Sequence, residues 1–322
     1  MTSFASLVGL FLLLSTVHLS VQDKGSTPHI KEIVVGRCYD YQYKKFGLNA
    51  TTWKNCSKIW EALYGAFAYK NPCNLTFADY KPYFDEVGMA DIYNKSLFWS
   101  GTYRAVHLYS EFGARFTTLE DTMTGWIVNG LTFCGNGNLS RSTTDGIDYD
   151  SCPNWSKNCD YTAPFWGPAS KIIAENSRGI VRVMVNGSRV SGDGKHRPAY
   201  KRESFFGKYE LPSFQVDKIT KLMILVIHTI HGTEYERCGK SSIKLLQEDA
   251  KGRGISVSCH DDPDDVRHIL CVDHPLSPEC IFLNEAGYRN PRGLAVFGKA
   301  SWLLIIAASV TAAAFTSRNF KY

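Results

Sequence analysis

The architecture can be read from three consecutive segments: KLMILVIH at Lys221–His228, SSIKLLQEDAK at Ser241–Lys251, and ISVSC at Ile255–Cys259. The first and third are rich in β-branched and apolar residues and are bounded by turn residues, so they predict buried strands. The middle segment has apolar residues at helical spacing and is followed by Gly252 and Gly254, which indicates a helix. A strand, a helix and a strand in this order predict a parallel crossover.

Working outward, GIVRVMV at Gly179–Val185 predicts another buried strand. The first half of the chain instead has apolar residues at helical spacing. Helices are predicted there over Trp53–Phe67, Ala78–Val87 and Tyr103–Phe112. Thr117 and Glu120 fit a capping box that opens a further helix. The predicted fold class is α+β: a helical N-terminal part packed with a C-terminal α/β part that carries a short parallel sheet.

Composition bounds the class of protein. The 322 residues are 44% hydrophobic and 21% charged, which is typical of a globular chain and excludes a disordered one. The formal net charge is +5, and three of the positive charges, Lys299, Arg318 and Lys321, lie near the C-terminus. The remaining charge of about +2 is far from the basic stripe of a nucleic-acid-binding protein, so nucleic acid is not an expected partner.

The N-terminal segment predicts export. An apolar run at Phe4–Val17 is followed by small and polar residues at Leu19–Gln22, which is typical of a signal peptide over residues 1–21. No Lys or Arg precedes the run. A buried N-terminal helix is the alternative.

The C-terminal segment, residues 286–322, predicts a membrane attachment. The apolar run at Trp302–Thr316 is short for a spanning helix but suits the tail of a glycosylphosphatidylinositol (GPI) anchor signal, and small residues precede it between Asn284 and Gly287. A single span that begins at Leu294 and tolerates Lys299 near one edge is the alternative. An ectodomain over residues 22–285 is thus expected on the outer face of the cell.

The cysteines agree with an exported protein. All ten lie between the predicted signal and the tail, and an even number confined to that region predicts disulfides. They are Cys38, Cys56, Cys73, Cys134, Cys152, Cys159, Cys238, Cys259, Cys271 and Cys280. Without paired C-x-x-C motifs a zinc ribbon is not supported, and no metal is expected.

Seven N-x-S/T sequons predict a glycoprotein. They are Asn49, Asn55, Asn74, Asn94, Asn138, Asn154 and Asn186. We expect less modification at Asn55, which adjoins Cys56, and at Asn186, which ends a predicted strand.

Familiar catalytic motifs are absent. Neither H-E-x-x-H nor G-x-S-x-G occurs. The SGDGK stretch at Ser191–Lys195 fails as a phosphate-binding loop, because Arg189 and His196 occupy positions that need glycine and a hydroxyl residue. It predicts a turn. The acidic cluster at His260–Asp265 lacks the glycine of a calcium loop, so a solvated loop is favoured.

The remaining candidates are Trp99 in LFWSG, Glu120 in TLEDT, Trp166 in PFWG and Glu210 in FFGKYE. Each alone suits a structural role, since tryptophans usually pack and carboxylates are usually solvated. Their order and the surrounding sequences, from GRCYDY and LTFCG to VMVNGSR and FFGKYEL, resemble the ADP-ribosyl cyclase and NAD glycohydrolase family over nearly the whole ectodomain. The pattern is also similar to NAD-consuming surface enzymes of parasitic flatworms.

The resemblance implies roles for these residues. Glu210 matches the catalytic carboxylate, Trp99 and Trp166 match the two aromatic walls of the pocket, and Glu120 matches the residue that contacts nicotinamide. The other substrate-binding positions that it implies are Ser100, Asn129, Ser170 and Phe206. It also implies the disulfides Cys38–Cys56, Cys73–Cys159, Cys134–Cys152, Cys238–Cys259 and Cys271–Cys280.

The chain departs from the family pattern in two places. Gly101 stands where the mammalian members have an arginine that binds phosphate, so phosphate placement is expected to differ. Tyr93 and Arg178 occupy both positions of one family disulfide, which is therefore missing.

The function expected from the resemblance is that of an NAD glycohydrolase. NAD is then a substrate, and no cofactor is expected. Nicotinamide leaves as a neutral molecule, so the site needs no general acid, and Glu210 stabilises the ribosyl oxocarbenium ion. Two alternatives stay open: a dominant cyclase, in which the adenine attacks, with Phe205 placed to fold it back, or a non-enzymatic surface receptor on the same fold.

Overall fold

The structure is a computed structural model that describes residues 25–47, 53–111, 113–153, 159–281 and 283. The predicted signal peptide over 1–21, the predicted anchor segment over 286–322, and the sequons at Asn49 and Asn154 lie outside the described residues. The chain divides into two compact units, with the boundary between Leu270 and Cys271. Within the described ranges, no helix has both the length and the apolar character needed to cross a membrane.

A parallel sheet forms the centre of the first unit. Its strands are β1 (Ile92–Tyr93), β2 (Leu97–Ser100), β3 (Ser177–Asn186), β4 (Ile219–Ile227) and β5 (Val257–Asp261). The order is β1-β3-β4-β5, and β2 also pairs with β3, further along the strand than β1. Every pairing is parallel, so the carboxyl ends of these strands meet at one edge of the sheet.

Eight α-helices surround the sheet in the described residues. They are α1 (Ile30–Phe46), α2 (Cys56–Phe67), α3 (Phe77–Val87), α4 (Tyr103–Ser110), α5 (Met123–Val128), α6 (Ala163–Glu175), α7 (Ser241–Gly252) and α8 (Asp264–Cys271). One buried cluster joins the helical part to one face of the sheet through residues such as Leu63, Phe165, Val183 and Ile224. Met184 lies in a second cluster, because successive residues of a strand face opposite sides.

These observations confirm the α+β prediction. The predicted crossover is present as β4, α7 and β5, and β3 extends the predicted strand by a few residues at each end. The helices in the first half lie where they were predicted, within three residues at each end.

Two local predictions were wrong. The capping box is formed by Thr118 and Asp121, one residue after the expected pair: the Asp121 carboxylate accepts from the Thr118 backbone N–H at 3.0 Å and from its hydroxyl at 2.9 Å. The acidic cluster is not a solvated loop. Its residues end β5 and begin α8, and Asp262 accepts hydrogen bonds from the backbone and ring of His228, each at 2.8 Å.

All five expected disulfides are present with the predicted pairing, and the described residues contain no free cysteine. Where the sixth family disulfide is missing, Tyr93 and Arg178 are direct partners in the β1–β3 pairing. Arg178 is 8% exposed, and its guanidinium lies 2.7 Å from the carboxylate of Asp91 and donates to the backbone carbonyl of Glu175 at 2.6 Å. An ion pair therefore connects these segments in place of a covalent bond.

Candidate active site

A cleft of about 600 Å³ opens at the carboxyl end of β2, where Trp99, Ser100 and Gly101 line its wall. Trp99 and Ser100 are the last residues of the strand, and Gly101 turns the chain away from it with φ of +70°. A left-handed backbone favours glycine. This edge of a parallel sheet is a common place for ligand binding, because several loops converge there.

Helix α6 contributes Trp166 and Ser170 to the lining of the cleft. Residues four positions apart lie on the same face of a helix, so a single helical face carries both side chains to the cleft. Trp166 packs edge-on against the buried Phe165, with ring centroids 5.0 Å apart. The aromatic core beneath the helix thus holds this part of the lining in place.

The Phe206–Glu210 segment forms a π-helical turn, which is an uncommon helix form found frequently at functional sites. Phe206 is 2% exposed and packs between Phe98 and Phe214, with centroid distances of 5.8 and 6.3 Å. At the end of this turn Glu210 reaches the same cleft. The turn is therefore anchored by the core at its first residue and presents the carboxylate at its last.

Glu120 reaches the cleft from a short 3₁₀ turn, Leu119–Asp121, which follows the Thr118 cap. Its Oε2 lies 3.4 Å from the indole N–H of Trp99, which donates to it. Gly125 allows the next helix to pack against this turn, since a Cβ at that position would lie 2.2 Å from the carbonyl oxygen of Leu119. Glu120 and Trp99 thus form one hydrogen-bonded wall.

The electrostatic state of Glu210 is strongly perturbed. Burial of the carboxyl is the main cause, a hydrogen bond from Ser170 opposes it, and the negative charge of Glu120 adds to it, which together raise the pKa of Glu210 to about 8. Its Oε2 atom has no hydrogen-bond partner in the described part of the chain. Glu210 is thus a buried carboxyl with an oxygen that can still accept a hydrogen bond, and it lies near the Glu120 carboxylate. This arrangement favours the binding of a positively charged group.

The cleft thus contains seven of the eight residues predicted to form the site: Trp99, Ser100, Glu120, Trp166, Ser170, Phe206 and Glu210. Asn129 does not line it. That residue follows α5, and its backbone carbonyl accepts a hydrogen bond of 2.6 Å from Arg37. Its assignment as a substrate contact stays a prediction.

Sequence reasoning missed three cations that line the cleft, Arg189, Arg197 and Lys201. They flank or follow the SGDGK stretch, which does form a turn: the Ser191 N–H donates to the Lys195 carbonyl at 2.8 Å, and Val190 pairs with His196. The signal was the run of basic residues on both sides of this turn.

Comparisons with known proteins agree with this site. The family model for ADP-ribosyl cyclase matches residues 27–280. The chain belongs to the ADP-ribosyl cyclase family. The prediction that it is an enzyme of this family is therefore confirmed.

Individual relatives support the assignment. The chain is 35% identical to an ADP-ribosyl cyclase/cyclic ADP-ribose hydrolase of Aplysia kurodai over 257 residues, which cover 79% of this chain and 87% of that protein. It is similar to the crystal structure of Aplysia cyclase complexed with the substrate NGD and the product cGDPR, with a TM-score of 0.71, 33% identity, and coverage of 80% and 98%. It also resembles porcine CD38 complexed with a covalent intermediate, ribo-F-ribose-5′-phosphate, with a TM-score of 0.64, 32% identity, and coverage of 74% and 98%.

One further cluster of possible metal ligands lies in this ADP-ribosyl cyclase fold, at His228, Glu234 and Asp262. Both ring nitrogens of His228 already lie against oxygen acceptors, Nδ1 at 2.8 Å from Asp262 and Nε2 at 2.7 Å from the Glu236 carbonyl. Burial disfavours charge on this ring, but these hydrogen bonds and the Asp262 carboxylate raise its pKa. A ring that donates from both nitrogens has no lone pair for a metal.

The described sequons differ in their availability. The side chains of Asn55, Asn74, Asn94 and Asn138 are exposed. The Asn186 amide instead donates to the Gly101 carbonyl at 3.2 Å, and its oxygen accepts from the Ser188 N–H at 2.8 Å. Because a glycan would be attached to the same nitrogen, the geometry supports the expectation that Asn186 stays unmodified. Modification of the other sites stays a prediction.

Proposed function

We propose that this chain is an NAD glycohydrolase that cleaves the nicotinamide–ribose bond of NAD to give nicotinamide and ADP-ribose, with ADP-ribosyl cyclase activity as a minor reaction. The observation that supports this most directly is Glu210: a buried carboxyl with a pKa of about 8 and an oxygen without a partner in the described residues, in a cleft that Trp99 and Trp166 also line. These features match the charge and shape of a nicotinamide riboside cation.

Binding of the substrate activates the carboxyl. Before the substrate binds, burial and the Glu120 charge keep Glu210 largely protonated at neutral pH, because its pKa is about 8. A pyridinium ring between the tryptophans adds a positive charge, which favours the carboxylate form. Stacking and cation–π attraction hold the ring, at about 0.5–2 kcal/mol for each aromatic contact. The positive charge of the substrate thus helps to deprotonate Glu210, the residue that stabilises the reaction's cationic intermediate.

The bond between ribose C1′ and the nicotinamide nitrogen breaks with its electron pair moving to that nitrogen. Nicotinamide leaves neutral, and the positive charge that remains on the ribose is stabilised by the Glu210 carboxylate, as an ion pair or a covalent ester. Water then attacks C1′ and loses a proton, which yields ADP-ribose. The reaction consumes one water and releases nicotinamide and one proton, and it needs no metal or redox cofactor.

The cyclase alternative differs only in the group that attacks C1′. If the adenine folds back over the ribose, its ring nitrogen forms the new bond and cyclic ADP-ribose results. Phe205 lines the cleft and is 40% exposed, which supports a role in holding the folded adenine. Phe205→Ala is expected to lower the share of cyclic product with nicotinamide release largely retained, which chromatography of the products measures.

The catalytic test compares two carboxylates with a matched control. Glu210→Gln keeps the shape of the side chain but removes its charge, so turnover is expected to fall at least about 100-fold. Glu120→Gln is expected to change the partition between products more than the chemical step. Glu203→Gln, on an exposed residue of the same cleft, is expected to retain normal turnover. Circular dichroism checks that each variant folds.

The outcomes separate the alternatives. Near-normal turnover in Glu210→Gln would remove Glu210 from the mechanism. Absence of nicotinamide release by the unmodified protein, together with NAD binding by calorimetry, would favour the receptor alternative. Cyclic ADP-ribose as the main product would favour the cyclase.

The location that we propose is the outer surface of the cell, with a GPI anchor after cleavage of the residue 286–322 segment. The five disulfides and the exposed sequons support exposure to an oxidising compartment. A phospholipase specific for GPI should release nearly all of the protein from cells. Retention in the membrane with an intact Tyr322 would instead support the single span.

A further inference from the structure

The cleft is lined by three cationic side chains that the proposed chemistry of the carboxylates does not use. Arg189, Arg197 and Lys201 all line it, and among the described residues none of the three has an ion-pair partner. The pKa of Arg189 is lowered first by burial and then by the positive charge of Arg197. Arg189 is partly buried and Arg197 is exposed, and an anion bound beside both guanidinium groups would offset their repulsion.

The backbone holds these two arginines together. They flank the turn at Ser191–Lys195, and the Arg197 N–H donates to the Arg189 carbonyl at 2.9 Å. The far side of the turn is fixed by His196, whose Nε2 lies 3.1 Å from the carboxylate of Glu236, itself only 2% exposed. The backbones of Arg189 and Arg197 are thus held side by side by the hydrogen bonds and the ion pair of this turn.

Arg189 occupies the space beside Gly101. A Cβ added at Gly101 would lie 3.4 Å from Cδ of Arg189 and 3.5 Å from its Nε. The guanidinium Nη1 donates to the hydroxyl of Ser100 at 3.3 Å. The side chain of Arg189 therefore lies within van der Waals contact of position 101, at the end of β2 and next to Trp99.

We propose that Arg189, assisted by Arg197, binds the pyrophosphate of the dinucleotide substrate beside Gly101, at the end of β2. The inference rests on the proposed function, because NAD is the source of the anion. Planar guanidinium groups suit phosphate oxygens through paired hydrogen bonds. Two cations match the two negative charges of a pyrophosphate.

The test separates binding from chemistry. Arg189→Gln is expected to raise KM for NAD about 10- to 100-fold with kcat nearly unchanged, since the lost contact is a charge-assisted hydrogen bond remote from the bond that breaks. The inhibition constant of inorganic pyrophosphate should rise by a similar factor. Inhibition by nicotinamide, which has no phosphate, should stay unchanged.

The matched control is Arg202→Gln. Arg202 lies in the same segment of the chain but is exposed, pairs with Asp249 at 2.6 Å, and is not among the residues that line the cleft. The Arg202→Gln variant loses the same positive charge as Arg189→Gln. Its KM should stay within about twofold of that of the unmodified protein, because salt screens the long-range electrostatic effect. An equal rise of KM in both variants would overturn the proposal, because net charge alone would then explain the effect.

A second variant tests whether an arginine at position 101 can replace Arg189. Gly101→Arg in the Arg189→Gln background should recover most of the lost affinity, although the left-handed backbone at position 101 makes the change mildly destabilising. Gly101→Arg alone should give no gain, since the new guanidinium would lie beside that of Arg189 and the two positive charges repel. Unchanged KM in Arg189→Gln would overturn the proposal, as would equal loss of nicotinamide and pyrophosphate inhibition.

If Arg189→Gln does not fold, Arg197→Gln and Arg189→Lys provide the same measurement, with smaller expected rises in KM. Failure of the proposed function is distinguishable. It would appear as no nicotinamide release from the unmodified chain, whereas binding of inorganic pyrophosphate, measured by calorimetry, still tests the arginines.

Discussion

The buried carboxyl of Glu210 should make the stability of the protein depend on pH in an unusual direction. In the folded state its pKa is about 8, compared with an ordinary value of 4.5. Between these values the folded protein binds more protons at this site than the unfolded chain, so the free energy of unfolding falls as pH rises. Between pH 4.5 and pH 7 this site therefore lowers the free energy of unfolding by about 3 kcal/mol, since each pH unit in this range corresponds to about 1.4 kcal/mol.

The perturbation is Glu210→Gln, which removes the titration and keeps the shape. Its amide N–H groups gain no assured partner, which costs about 1 kcal/mol at every pH. The variant should therefore be slightly less stable than the wild type near pH 4.5 and more stable by about 2 kcal/mol at pH 7. The difference between the two proteins, followed across pH, isolates this one group.

Urea unfolding of both proteins at about pH 4.5, 6, 7 and 8, with the disulfides intact, provides the measurement. Glu203→Gln, which changes an exposed carboxylate, is the control and should show no comparable trend. If the stability difference between wild type and Glu210→Gln changes by less than about 0.5 kcal/mol over this range, Glu210 is not a buried, perturbed carboxyl in solution, and the argument for activation by the substrate fails with it.

Three other perturbations follow from the structure. Glu120→Gln removes a charge that raises the Glu210 pKa, so the rise of kcat/KM with pH should move to lower pH; an unmoved profile would show that the two carboxylates are uncoupled. Gly187→Ala should cost about 1–3 kcal/mol of stability in urea unfolding, because the new Cβ would lie 2.5 Å from Nε2 of His228. Tyr93→Cys combined with Arg178→Cys should form a sixth disulfide, since the two residues pair directly; two titratable thiols after oxidation would contradict this.

The parallel part of the fold was predictable because its central strands, β3 and β4, are largely buried on both faces. Continuous β-branched runs such as Gly179–Val185 therefore stand out, and the helix before Gly252 is amphipathic. By contrast, β2 is four residues long and consists of LFWS, which is too short and too mixed to show a period. Tertiary pairing with β3 defines it as a strand.

The candidate site likewise had residues that could be predicted from the sequence and residues that only the fold reveals. Trp99, Trp166 and Glu210 were recognised from the sequences around them, and the fold brings them together. In the sequence, Arg189 was noted only as a residue that does not fit a phosphate-loop motif. Its proposed role depends on its proximity to Ser100 and Gly101, which is a property of the folded chain. The capping box was misplaced by one residue because both Thr117 and Thr118 satisfy the pattern, and only the backbone conformation distinguishes them.

The internal hydrogen bonds of Asn186 have a consequence for molecules that approach from outside. This sequon lies against Gly101 at the rim of the cleft, and its amide nitrogen is already engaged. None of the described sequon asparagines lines the cleft itself. Carbohydrate on the exposed sites at Asn55, Asn74, Asn94 and Asn138 would therefore be attached outside the lining of the cleft, which favours access by an inhibitory antibody or by a small molecule designed to fill it.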